Sequence, residues 1–263
     1  TGQKQTPEES KRVFNYIHLL QEKFGFNDHF TIKSTNHVPT SAGLASSASA
    51  FAALATSFAA SYGLDLSRRE LSKLARLGSG SATRSIYGGF VEWQKGIDDA
   101  SSYAVPIDEN PDLELSLLAL EVDTKQKKIS STKGMKLAQT SPFYQPWLAR
   151  NKQEIVELKQ AIKEKDFTKI GKLSELSANE MHACNLTANE PFTYFEPETI
   201  KAIKLVENLR QQGIECYYTI DAGPNVKILC TLRNRKEIIS AVQKSLTNVK
   251  IVVASFGPGV TLL

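Results

Sequence analysis

The stretch Pro39-Thr-Ser-Ala-Gly43-Leu44-Ala45-Ser46-Ser47-Ala-Ser49-Ala constrains the fold more than any other part of the chain. Residues 29–37 lie just before it and alternate Phe30 and Ile32 with polar neighbours, which predicts a strand. The residues after it, 50–60, are apolar, Ala-dense and free of Gly and Pro, which predicts a buried helix. A strand, a Gly-Ser turn and a helix N-terminus together suit phosphate. The first helical turn has unpaired N–H groups and partial positive charge, and Gly lets the backbone approach closely. Ser46, Ser47 and Ser49 add hydroxyls. No Gly-Lys-Ser/Thr closes the loop, so it is not a Walker A loop. The other reading is a small-residue helix packed tightly on a neighbour and capped by Ser or Thr.

The 263 residues allow one large domain or two ordinary ones. A composition 41% hydrophobic and 23% charged is that of a soluble globular protein. The formal charge of +4 is too mild for a nucleic-acid partner but suits anionic small molecules. Cys184, Cys216 and Cys230 form no Cys-x-x-Cys pair, which points to reduced thiols and a cytoplasmic protein. His18, His29, His37 and His182 have no metal-ligand spacing. Neither a signal-peptide pattern nor an apolar run of membrane-spanning length is present, so no membrane partner is expected.

Thr6-Pro7-Glu8-Glu9 predicts a helix start, with Val13, Tyr16, Ile17 and Leu20 on its inner face. Ser67-Arg-Arg-Glu70 predicts a capping box. A second Gly-Ser turn, Gly78-Ser79-Gly80-Ser81-Ala-Thr83-Arg84-Ser85, gathers N–H and O–H donors around a guanidinium suited to gripping a carboxylate or phosphate. An ordinary loop with a surface Arg is the alternative. Residues 106–113, rich in Pro, Asp and Asn, predict an inter-domain connection, giving domains 1–108 and 109–263. Strands are expected at 115–122 and 249–254, with a last short one after Gly259. Helices are expected at 142–165, 167–184, 198–212 and 233–246. Lys127-Lys128-Ile-Ser130-Ser131-Thr132-Lys133-Gly-Met reads as a charge-rich turn. Two β-prone runs flank Asp221-Ala-Gly-Pro-Asn225, predicting a tight turn whose Asp either bonds its own backbone or does chemistry. His182 reads as a structural histidine.

Asn36-His-Val-Pro39-Thr-Ser-Ala-Gly43-Leu-Ala-Ser-Ser-Ala resembles the phosphate loop of the GHMP kinase superfamily, in its diphosphomevalonate decarboxylase branch. Gly78 to Ser85, Lys127 to Met135 and Asp221 to Asn225 resemble three further motifs of that branch, in the same order. The resemblance implies an α+β, two-lobed GHMP kinase fold, with a ribosomal S5 domain 2-like N-terminal lobe and a ferredoxin-like C-terminal lobe. The family's first strand and its Lys-Tyr-Trp-Gly-Lys-like motif have no counterpart here, which implies an N-terminal lobe incomplete at its start.

The implied reaction is ATP-dependent decarboxylation of mevalonate 5-diphosphate to isopentenyl diphosphate. By resemblance, Pro39, Gly43, Leu44, Ala45, Ser46, Ser47 and Lys127 bind ATP, and Ser47 also meets Mg2+. Ser79, Gly80, Ser81, Ser130 and Ser131 contact the substrate, and Arg84 grips its carboxylate. Asp221 is the catalytic aspartate. Some bacterial relatives have Arg where Thr132 stands. A homodimer is also implied. Two alternatives remain open: a kinase or decarboxylase of the same superfamily acting on mevalonate or its monophosphate, and a truncated non-catalytic phosphate-binding homologue.

Overall fold

The computed structural model describes residues 7–29, 31–36, 46–122 and 129–262. These divide into two compact units: the described residues up to 111 together with 257–262, and those from 112 to 256.

The first unit is built on α1 (Pro7–Phe24), α2 (Ser46–Ser61) and α3 (Arg68–Gly78), followed by a 3₁₀ helix (Gly80–Ile86) and the antiparallel pair β1 (Phe90–Gln94) and β2 (Tyr103–Asp108). Tyr16, Ile17 and Leu20 form the buried stripe of α1 and pack on Phe51, Ala52, Ala55 and Phe58 of α2. Val13 is only half-buried. The Tyr16 and Phe51 rings meet edge to face at 5.0 Å, and Tyr16 donates its hydroxyl hydrogen to Leu74 O at 3.1 Å. Burial pushes that phenol's pKa well up. The buried helix expected here is α2, with Phe51, Ala52, Ala55, Thr56, Phe58 and Ala59 buried, while Ala50, Ala53, Ser57 and Ala60 leave its other face exposed. Alanine favours helix whether or not it is covered, and its abundance does not report burial.

The predicted capping box at Ser67 and Glu70 opens α3, both reciprocal bonds being present. The expected strand at 29–37 does not form among the described residues, and 31–36 carry no ladder. Alternation supplies a tendency, whereas a strand needs a partner for its N–H and C=O groups. Pro106 lies inside β2, opposite Val91 at the irregular end of the ladder, where a missing N–H is tolerated. The connection out of β2 therefore starts at Glu109. Glu109 forms an ion pair with Arg68 that draws its carboxyl pKa down. No strand follows Gly259 among the described residues. Val260 instead packs into this unit's core, and Gly89 N–H donates to Gly257 O at 3.2 Å.

The second unit runs β3 (Leu115–Glu121), α4 (Ser131–Ala138), α5 (Tyr144–Glu164), α6 (Phe167–Leu186), α7 (Pro197–Gln211), β4 (Cys216–Ile220), β5 (Val226–Thr231), α8 (Arg235–Ser245) and β6 (Lys250–Ala254). Its antiparallel sheet has the order β4-β5-β3-β6. Alternate residues serve different clusters, as the two-residue period requires. Cys216, Ile220, Val226, Ile228 and Cys230 join Ala202, Val206, Ile238 and Val242 of α7 and α8. Tyr217 and Leu229 point the other way, to Phe167 and Leu115. Along edge strand β4, helix α6 lies so close that a Cβ on Gly171 would stand 1.9 Å from the Tyr217 ring. Glu175 of α6 accepts from Tyr218 N–H at 3.0 Å, occupying a donor that an edge strand otherwise leaves open.

Candidate active site

The first donor cluster lies wholly within the first unit. Helix α2 opens at Ser46 with no acidic residue in its first turn, so nothing there offsets the positive end of its dipole. Ser47 Oγ lies 3.4 Å from Ser79 Oγ, and Ser79 Oγ lies 3.3 Å from Ser81 Oγ. Three hydroxyls from two stretches 32 positions apart thus form one row. Ser79 ends α3 and begins the 3₁₀ helix, yet its side chain makes no cap bond and is not spent on local structure. The Gly-Ser stretch expected as a loop is this 3₁₀ helix, a tighter arrangement that aims successive side chains from one short turn.

Arg84 stands in the last turn of the same helix, exposed, with its guanidinium carbon 6.0 Å from the centre of the Trp93 ring. Trp93 is itself fixed by Nε1–H donating to Ser102 Oγ at 3.0 Å. Gly80 lies against that ring: an added Cβ would fall 2.8 Å from Cη2, so a side chain here displaces the indole or the turn. The turn is anchored from below by fully buried Ser72 and Thr83. Ser72 Oγ lies 2.6 Å from Thr83 Oγ1, within reach of Thr83 O at 2.9 Å, and accepts from Ala104 N–H at 2.9 Å.

The second cluster lies wholly within the second unit. Asp221 directly follows β4, and its carboxylate is 69% exposed. The turn it opens is clamped at several points. Gly223 N–H donates to Asp221 O at 2.7 Å, Thr199 Oγ1–H to Pro224 O at 2.7 Å, and Val122 N–H to Asn225 Oδ1 at 2.8 Å. Lys227 Nζ, on β5, donates to Asp221 Oδ2 at 2.6 Å. His182 of α6 is buried nearby. Its Nε2 faces Ile220 O at 3.3 Å, so Nε2 carries the hydrogen, and Nδ1 accepts from Asn185 at 3.5 Å. Burial lowers its pKa and keeps the ring neutral, against a smaller opposing pull from Ile220 O and Asp221.

Ser130 caps α4, its Oγ accepting from Lys133 N–H at 3.2 Å, and Ser131 is the first, exposed residue of that helix. The charge-rich turn expected there is thus partly helix, because Ser130 supplies a cap. Pro39, Gly43, Leu44, Ala45 and Lys127 lie outside the described residues. Among the described residues no three His, Cys, Asp or Glu side chains form a metal-binding group. Mg2+ favours phosphate oxygens and water over a full protein cage. The half-buried hydroxyl of Ser47 is the kind of single neutral oxygen ligand such an ion takes.

Sequence reading missed Trp93, the Ser72–Thr83 pair, Thr199 and Lys227. Only Lys227 left a signal: a lone cation in the apolar run Val226-Lys-Ile-Leu-Cys230, six residues from an Asp, calls for a counter-ion.

The architecture is the α+β GHMP kinase fold. A family profile described as the diphosphomevalonate decarboxylase-like N-terminal domain matches residues 1–104, and one described as the mevalonate 5-diphosphate decarboxylase C-terminal domain matches residues 117–257. The diphosphomevalonate decarboxylase of Candida albicans is 37% identical over 252 residues, covering 87% of this chain and 69% of that protein. Seven further curated relatives are spanned over 54–58% of their length. The crystal structure of mevalonate diphosphate decarboxylase from Staphylococcus aureus superposes with a TM-score of 0.92 at 42% identity, covering 98% of this chain and 79% of that one. A structure described as MDDEF in complex with MVAPP, AMPPCP and magnesium superposes with a TM-score of 0.90 at 41% identity, covering 97% and 79%. This chain belongs to the diphosphomevalonate decarboxylase family.

Proposed function

We propose that this chain carries out, or forms most of the enzyme that carries out, ATP-dependent decarboxylation of mevalonate 5-diphosphate to isopentenyl diphosphate. The observation that carries the reading is the row Ser47–Ser79–Ser81, which joins the start of α2 to the 3₁₀ helix that also carries Arg84. It is a run of anion donors, with a guanidinium suited to gripping a carboxylate on the same short helix. The start of α2 with Ser46 and Ser47 binds the ATP phosphates, assisted by Pro39, Gly43, Leu44, Ala45 and Lys127. Ser79, Gly80 and Ser81, with Ser130 and Ser131, hold the substrate diphosphate, and Arg84 holds its carboxylate. Mg2+, met by Ser47, supplies charge neutralisation to the bound phosphates.

Asp221 orients the tertiary hydroxyl and takes its proton as the oxygen bonds to the γ-phosphorus and ADP leaves. The carbon–oxygen bond then breaks, phosphate departs with its electrons, and Asp221 faces the positive charge that builds on carbon. The bond to the carboxylate supplies the electrons of the new double bond, and carbon dioxide is released. Residues 1–108 act as the nucleotide lobe and 109–263, apart from 257–262 that pack into the first unit, as the lobe of the catalytic aspartate.

We further propose a cytoplasmic homodimer. All three cysteines are free and buried, which agrees with a reducing compartment, and among the described residues no helix is long and apolar enough to cross a membrane. The dimer rests on the family resemblance, and sedimentation tests it.

The reaction is tested with carboxyl-labelled mevalonate, its 5-phosphate and its 5-diphosphate, each with ATP and Mg2+. Labelled carbon dioxide is expected from the diphosphate alone and only with ATP. ADP formation without carbon dioxide, best with mevalonate or the monophosphate, would make the chain a kinase instead.

A further inference from the structure

A lysine that is nearly fully buried in a strand needs a reason. Lys227 sits on the central strand β5, paired in register with Ala119 of β3 and Thr219 of β4, and its side chain is only 8% exposed. Its neighbours in sequence, Val226 and Ile228, are fully buried core residues. Taking an ammonium out of water is costly, and an apolar residue of like volume usually serves a strand as well or better.

The partner of this buried cation is Asp221, at 2.6 Å, whose carboxylate is 69% exposed. A pair that merely holds a core together hides both ends. Here the protein hides the cation and presents the anion. The remaining contacts around the turn also restrain Asp221. Its backbone is fixed through Gly223, Pro224 and Asn225, and the neutral ring of His182 holds the carbonyl of the preceding residue, Ile220. The backbone clamps leave the side-chain torsions of Asp221 unset, and Lys227 sets them by holding one carboxylate oxygen.

We propose that Lys227 is a positioning residue for the catalytic carboxylate: a buried ammonium fixes Oδ2 of Asp221 and so aims the carboxylate at the substrate hydroxyl, an inference that rests on the decarboxylase reading. Lys227 itself need touch neither substrate nor nucleotide.

The test is Lys227→Met, which keeps length and removes charge. Because the Asp221 left behind is exposed, no buried charge is orphaned, and the melting temperature is expected to hold or rise. Turnover is expected to fall about 10- to 100-fold while KM for both substrates changes by less than about threefold, the signature of lost positioning rather than lost binding. Lys227→Arg is expected to recover part of kcat. Adding Lys227→Met to Asp221→Asn is expected to cost nothing further, since both act through one carboxylate. Wild-type kcat in folded Lys227→Met, or a double variant in which the two losses multiply, would overturn the assignment.

A readout free of activity covers both a variant that fails to fold and a wild type that releases no carbon dioxide. A Lys227 ammonium held against the carboxylate gives a slowly exchanging side-chain resonance in the 15N-labelled protein, expected to vanish in Asp221→Asn. An unchanged resonance in that variant would end the proposal. Its loss in a protein that releases no carbon dioxide would keep the pair and remove the functional reading.

Discussion

The two Gly-containing turns proposed to carry the chemistry differ in what holds the groups they present. The turn from Ser79 to Arg84 is anchored by neutral, fully buried hydroxyls beneath it, Ser72 and Thr83, and presents its hydroxyl row and cation outward. The backbone of the turn from Asp221 to Asn225 is likewise held by a buried hydroxyl, that of Thr199, but the carboxylate it presents is held by a buried cation, Lys227. Gripping a polyanion takes several weak donors whose geometry tolerates small shifts. Orienting one hydroxyl takes one carboxylate in one rotamer, and a point charge at 2.6 Å provides that. On the proposed roles, the contrast makes binding and turnover separable, each traceable to its own support.

Predictions sharpen or break that contrast. Arg84→Lys keeps the charge but loses the two-pronged grip, and is expected to cost about 10- to 100-fold in kcat/KM, the equivalent of one charged hydrogen bond. Steady-state kinetics giving wild-type kcat/KM would remove the carboxylate role of Arg84. Next comes Thr83→Val, which strips the donor turn of its buried anchor. Denaturant unfolding is expected to show a loss of about 1–2 kcal/mol, with KM for the diphosphate rising and the Lys227 resonance unchanged. A loss of kcat at constant KM would mean that the two turns are not separate in function.

The smallest expected effect concerns His182. Burial holds its folded pKa below the unfolded value, so the unfolded chain binds the extra proton and acid favours unfolding. The stability contributed is present above about pH 6.5 and is lost on acidification below it, by at most about 1.4 kcal/mol per pH unit. His182→Gln is expected to flatten that part of the melting-temperature profile, and an identical slope in the variant would show that other groups set it. The cysteines stay out of the same window. Burial pushes Cys216 to about 12 and Cys230 to about 11, so both are thiols at neutral pH.

What was legible in the sequence was local. The capping box at Ser67, the donors of residues 79–84 and the Asp-Ala-Gly-Pro-Asn turn are each written in consecutive residues, and each stands in the structure. The supports were not legible, because they are tertiary. Nothing in residues 72 and 83 announces that their hydroxyls meet, and Trp93 reads as any strand aromatic until Gly80 is pressed against it. Among the described residues the strand expected at 29–37 and the short one after Gly259 do not form, for a related reason: alternation and turn residues describe one chain segment, while a ladder needs two. Lys227 is the intermediate case. Its charge in an apolar strand was visible, but the partner that explains it became evident only when β4 and β5 paired.

The central claim is that Asp221 turns substrate over while the Ser79–Arg84 turn holds it. Asp221→Asn tests this most directly, with carbon dioxide release and equilibrium binding of ATP and mevalonate 5-diphosphate measured on the same preparation. The account predicts turnover down by about 10²- to 10⁴-fold, the range for loss of a positioned acid–base group, with both dissociation constants within about threefold of wild type, as expected when only transition-state interactions are lost. Turnover retained near the wild-type rate, or binding lost in step with it, would contradict the account.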